Sequence, residues 1–206
     1  MSKPYSGIPI DQKRTWVVPR WLKEAFVAFA LVALGAVGLS KGLQHLGSAE
    51  DRARSATEAD RLDGSPAIPF HLPARGGGQL DLSSFRGKTV LVNFWATWCP
   101  PCREEMPSLS RLAQSFDAGT FEVLAVSVDE GGWPAIDKFL AGQKVPFRVA
   151  LDEGAKMSRA WGTSKYPESY LVDGEGRVRL KFVGPRNWMD PNMATLLEQH
   201  GARRKG

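Results

Sequence analysis

Cys99 and Cys102 are the only cysteines among 206 residues, and they are separated by Pro100 and Pro101. Two thiols at this spacing can close a four-residue disulfide ring, hold a soft metal ion, or exchange disulfides with another molecule. A structural staple is disfavoured, because so short a loop removes little entropy from the unfolded chain. A tetrahedral zinc site is disfavoured too: it needs four ligands, and His45, His71 and His200 stand alone, far from one another and from the pair. No metal and no cofactor are therefore expected. The remaining chemistry is that of the thiolate.

That chemistry depends on where the elements place the sulfurs. Residues 89–95 (TVLVNFW) form a β-branched and aromatic run long enough for a buried strand. A helical stretch follows from residue 99 to about 116, with Pro107 expected to kink it. Cys99 then stands at the N-terminal end of a helix, where unpaired amides and the macrodipole favour negative charge. Thiol pKa values in such settings fall from about 8.5 to roughly 3.5–7.5. Cys102 lies one turn along on the same face, more shielded and placed to resolve a mixed disulfide. Pro100 and Pro101 remove two amide hydrogens and stiffen the loop.

The rest of the chain alternates strand and helix. Strands are expected at 121–128 and 145–151, helices at 133–143 and 154–161, a hairpin from 170–173 and 177–183, and a closing helix at 191–200. The pattern is α/β: a central mixed sheet covered by helices on both faces.

Ahead of this domain, residues 25–40 carry no charge, and the apolar or neutral stretch reaches residue 47 if Lys41 snorkels. At 1.5 Å per residue these spans are about 24 and 34 Å, bracketing a hydrocarbon core of about 30 Å. One N-terminal transmembrane helix is expected. The leader 1–24 carries a net +3, whereas 41–63 holds four basic and five acidic residues, so the leader stays cytoplasmic and the remainder is exported. An uncleaved anchor is favoured over a signal peptide, whose leader would be unusually long. The division is 1–24 basic leader, 25–47 anchor, 48–65 charged tether and 66–206 folded domain. The formal charge of +5 sits at the ends: Arg203, Arg204 and Lys205 add a further +3, leaving the middle at −1. A nucleic-acid role is not expected.

Residues 82–107 (LSSFRGKTVLVNFWATWCPPCREEMP) and 166–173 (YPESYLVD) resemble the membrane-anchored, thioredoxin-like thiol–disulfide oxidoreductases of the TlpA, ResA and CcmG kind, and the similarity runs from about residue 66 to 200. The resemblance implies a thioredoxin-like fold with an extra central βα unit in the region 121–150. It implies that Pro167 is a cis-proline beside the cysteines, with the backbone of Tyr166 available to an extended substrate. It also implies a functional glutamate at Glu105, since Asn93 stands where thioredoxins carry a buried aspartate. The other reading of Glu105 is a solvated helix-face carboxylate beside Arg103 and Glu104. Trp98, Pro100, Pro101, Tyr166 and Pro167 are expected to form the substrate-binding surface. Trp95 is read as packing, and Arg186, Asn187 and Trp188 as rim residues. The family's direction is reduction of disulfides in exported proteins, such as apocytochromes c or copper-site proteins, fed by a membrane electron donor. It places the domain on the periplasmic or extracytoplasmic side of a bacterial inner membrane. A redox sensor or copper metallochaperone is the alternative, although no Met or His cluster accompanies the thiols. A thiol peroxidase is less favoured, because Ala96 occupies the position three before Cys99 where that chemistry wants threonine.

Overall fold

The computed structural model describes residues 59–61 and 64–206, Lys144 excepted. The expected leader, the expected 25–47 anchor and most of the expected tether lie outside these residues. Among the described residues no helix is long and apolar enough to cross a membrane.

The strands are β1 (Ala59–Arg61), β2 (His71–Pro73), β3 (Gln79–Asp81), β4 (Thr89–Trp95), β5 (Phe121–Ser127), β6 (Arg148–Leu151), β7 (Glu168–Val172) and β8 (Val178–Val183). The helices are α1 (Pro100–Ser115), α2 (Gly132–Leu140), α3 (Lys156–Ala160) and α4 (Pro191–Gln199). Six strands form one sheet in the order β1-β8-β7-β4-β5-β6, and β2 and β3 pair separately. β4 runs parallel to β5, in register from Thr89 opposite Phe121 to Trp95 opposite Ser127, and antiparallel to β7. With partners on both sides and covered faces, it is apolar except at Thr89 and Asn93, and all seven of its residues are buried.

The alternation of β4 divides the core. Leu91 and Trp95 join the cluster that contains Met106, Leu109 and Leu112 of α1, Ile136 and Leu140 of α2, and Met193 and Leu197 of α4. Val90, Val92 and Phe94 face the opposite cluster, with Phe70, Leu80, Phe85 and Trp161. Three helices thus cover one face, while the other is closed by α3, the β2–β3 hairpin and the 3-10 turn Leu82–Phe85. Between α1 and Pro167 lie two successive βα units, β5–α2 and β6–α3, in the stretch where the resemblance places a central insertion.

Several boundaries differ from the sequence reading. α2 ends at Leu140 and β6 begins only at Arg148, whereas α1 runs through Pro107 to Ser115, close to its expected end. The tether expected over 48–65 is too long at its C-terminal end. β1 pairs antiparallel with β8, Ala59 opposite Phe182, and Pro66 bridges Arg177. An edge strand of sequence Ala-Asp-Arg has no apolar alternation, and its pairing rests on backbone hydrogen bonds that residue pattern does not report. The β2–β3 hairpin was hidden for a similar reason, since each strand is only three residues long.

Candidate functional site

β4 ends at Trp95 and α1 begins at Pro100, so the chain between them emerges at the carboxyl ends of two parallel strands, where open α/β sheets place their sites. Cys99 is the N-cap of α1, with φ −95° and ψ 103°. It is joined to Cys102 in a disulfide, with Cα atoms 5.3 Å apart. The Cys102 amide donates to Cys99 Sγ at 3.3 Å, so a helix N-terminal N–H already points at this sulfur. Cys102 is fully buried and Cys99 is 4% exposed, leaving Cys99 the more accessible of the two. Pro100 and Pro101 take the first turn of the helix, where their missing N–H groups cost nothing. Pro100 is exposed and Pro101 half-buried.

Glu105 follows Cys102 by one helical turn and is only 3% exposed, so it is not a solvated surface carboxylate. Asn93 on β4 donates to its Oε1 at 2.9 Å. The Arg186 amide (3.3 Å) and the Trp188 indole N–H (3.1 Å) donate to Oε2. Burial pushes this carboxyl up to about 7, against the lowering pull of those donors and of the Arg186 charge. The Arg186 guanidinium lies 4.6 Å from the Phe182 ring centroid, and burial holds it below its ordinary value. Trp188 is 1% exposed, which corrects its reading as a rim residue. Its indole bonds into the floor beneath the cysteines, a role that its isolated place in the sequence does not signal.

The Tyr166–Pro167 bond is cis. The Tyr166 ring meets that of Trp98 edge-on, with centroids 5.9 Å apart, bringing this loop against the residue that precedes Cys99. The Tyr166 hydroxyl is 3.0 Å from Ser158 Oγ on α3. Trp98 is 60% exposed, the largest exposure among the big apolar side chains on this surface. Trp95 is fully buried against Phe139, 5.6 Å between centroids, and serves as packing. The structure therefore brings Trp98, Cys99, Pro100, Pro101, Cys102, Glu105, Tyr166 and Pro167 to one end of the sheet.

The redoxin family model matches residues 52–197. The chain belongs to the redoxin family. This redoxin is 32% identical to the thiol–disulfide oxidoreductase ResA of Bacillus cereus (strain ATCC 10987 / NRS 248) over 158 residues, which span 77% of this chain and 86% of the relative. It is 35% identical to ResA of Bacillus subtilis (strain 168) over 116 residues, 56% of this chain and 64% of that one. Among solved structures, a Chlorobium tepidum protein assigned as thiol:disulfide interchange protein DsbE superposes with a TM-score of 0.58 at 36% identity, covering 68% of this chain and 94% of that one. A thioredoxin family protein from Chlorobium tepidum TLS gives a TM-score of 0.59 at 26% identity, covering 68% and 97%. The redoxin has a thioredoxin-like α/β fold, and it is a thiol–disulfide oxidoreductase of the ResA and DsbE type.

One polar residue of this redoxin site was missed by sequence reasoning. Asp129 lies just past the C-terminal end of β5, is 1% exposed, and bonds to Thr97 in the loop before Cys99. The signal available was positional: a carboxylate directly after the strand that neighbours the cysteine-bearing one.

Proposed function

We propose that this redoxin is a membrane-tethered reductant of disulfides in exported proteins, with Cys99 as nucleophile, Cys102 as resolving thiol and Glu105 as the group that takes the Cys102 proton. The observation that carries the reading is the closed Cys99–Cys102 pair at the start of α1 with a buried carboxyl, poised at about 7, one turn beyond.

The mechanism follows from that arrangement. The Cys99 thiolate attacks one sulfur of a substrate disulfide; a Cys99–substrate disulfide forms and one substrate thiolate leaves. Glu105 accepts the Cys102 proton, and the Cys102 thiolate attacks Cys99 Sγ. The second substrate thiolate departs, and two electrons have passed to the substrate. Trp98, Pro100, Pro101, Tyr166 and Pro167 make the surface against which an extended substrate segment lies, Tyr166 offering its backbone for pairing.

The anchor is residues 25–47, tethering the folded domain, which includes β1, to the periplasmic or extracytoplasmic face of a bacterial inner membrane. Thiols on that side meet an oxidising compartment, so the cycle needs electrons from a membrane donor. Apocytochromes c and copper-site proteins are the proposed targets.

The test uses the full-length protein with a disulfide-bearing protein substrate. Cys102→Ser should accumulate a thiol-sensitive covalent adduct on Cys99, and Cys99→Ser should not. The measured potential of the couple should lie nearer the reducing value of about −270 mV than the oxidising value of about −120 mV. Absence of the adduct, or a potential at the oxidising end, overturns the proposal.

A further inference from the structure

The loop between β4 and α1 decides where Cys99 stands, and it is pinned from β5. The Val128 amide donates to Trp95 O at 2.9 Å, holding the end of β4. The next residue after Val128 is the buried Asp129, whose carboxylate accepts the Thr97 amide, at 3.1 Å to one oxygen and 3.0 Å to the other. It also accepts the Thr97 hydroxyl at 2.5 Å and the Ser127 hydroxyl at 2.6 Å. The Asp129 amide donates back to Ser127 Oγ at 3.1 Å, which fixes the carboxylate from its own strand. Beyond Thr97, the Cys99 amide closes onto Ala96 O at 3.3 Å.

A side chain that holds one residue by both its amide and its hydroxyl determines the position and the rotation of that residue. Cys99 follows Thr97 by two residues, and its sulfur must meet the Cys102 amide. The helix N-terminus favours a thiolate only where its amides are aimed, and the effect fades within the first turn.

We propose that Asp129 is a positioning residue for disulfide exchange: by clamping Thr97 it holds Cys99 Sγ against the N-terminal amides of α1. The inference rests on the reading of Cys99 as the nucleophile. Loosening the clamp lets the sulfur drift from those amides, destabilises the reduced thiolate, and so makes the couple more reducing while slowing the attack.

The test measures two quantities on the full-length protein: the reduction potential of the Cys99/Cys102 couple, and kcat/KM for a disulfide-bearing protein substrate. Asp129→Ala and Thr97→Val should each shift the potential to more negative values and lower kcat/KM, the former on the order of tenfold or more. Thr97→Ser keeps the hydroxyl and should match the parent in both. The proposal is overturned if folded Asp129→Ala retains the parent potential and rate, or if Thr97→Val and Thr97→Ser are indistinguishable. If Asp129→Ala does not fold, the contrast between Thr97→Val and Thr97→Ser decides alone, Thr97 being only half-buried. A parent protein that reduces no substrate refutes the functional reading instead, while its potential still reports on the clamp.

Discussion

Replacing Glu105 by glutamine should change how the stability of this protein depends on pH. Raising a carboxyl from 4.5 to about 7 corresponds to about 3 kcal/mol of preference for its neutral form. Between those values the folded chain keeps a proton that the unfolded chain releases. The contribution of Glu105 to stability is therefore greatest below about pH 4.5 and falls by up to about 1.4 kcal/mol per pH unit as pH rises, levelling off above about 7. This slope is opposite to that of a carboxylate stabilised by a salt bridge. Glutamine carries no such cost, and the site can receive it: its oxygen can face the Arg186 and Trp188 donors and its amide can face a flipped Asn93. The Asn93 Oδ1 has no hydrogen-bond partner among the described residues and would then accept. Allowing about 1 kcal/mol for imperfect rebonding, Glu105→Gln should be more stable than the parent by about 1–2 kcal/mol at pH 8 and no more stable at pH 5. Urea midpoints of the oxidised proteins at pH 5 to 9 measure this, and other titrating groups cancel in the comparison. Parallel pH curves for parent and variant would refute the reasoning. The same substitution should remove the pH limb near 7 from the rate at which Cys102 resolves a mixed disulfide.

Four other substitutions test different parts of the structure. Lys181 pairs at 3.0 Å with Glu168, whose side chain is 1% exposed, so Lys181→Met should cost about 3–5 kcal/mol in denaturant titrations. Adding Glu168→Gln should recover most of that loss, because the penalty is an uncompensated buried charge and not a missing contact. Leu109→Ala removes a fully buried side chain from the α1 face of the core and should cost about 2–5 kcal/mol in the same assay. Trp98→Ala, at a 60% exposed position, should leave stability within about 0.5 kcal/mol and raise KM for a protein disulfide several-fold; an unchanged KM would remove Trp98 from the substrate surface.

The elements that carry the cysteines were legible in the residues because their physics is local. The run 89–95 can only be a strand covered on both faces, two prolines after Cys99 can only start a helix, and together these put one sulfur at an amide-rich helix end. The hairpin turn was equally local: the Asp173 carboxylate accepts the amides of Glu175 and Arg177, which are two and four residues away. What escaped the sequence is held together by bonds between distant residues. The pKa of Glu105 is raised by burial and pulled back by Asn93, twelve residues before it, and by Arg186 and Trp188, more than eighty after it, and neither composition nor period reports that meeting. The clamp of Asp129 on Thr97 crosses from one parallel strand end to its neighbour, 32 residues along the chain. β1 is an edge strand without a pattern of its own, visible only once β8 is present to pair with it. The sequence alone thus determined which atoms could react, because a thiolate's preference for a helix N-terminus needs only its nearest neighbours. The tertiary structure decided their acidity and aim, because desolvation and hydrogen bonding depend on everything that packs around a site, whatever its distance along the chain.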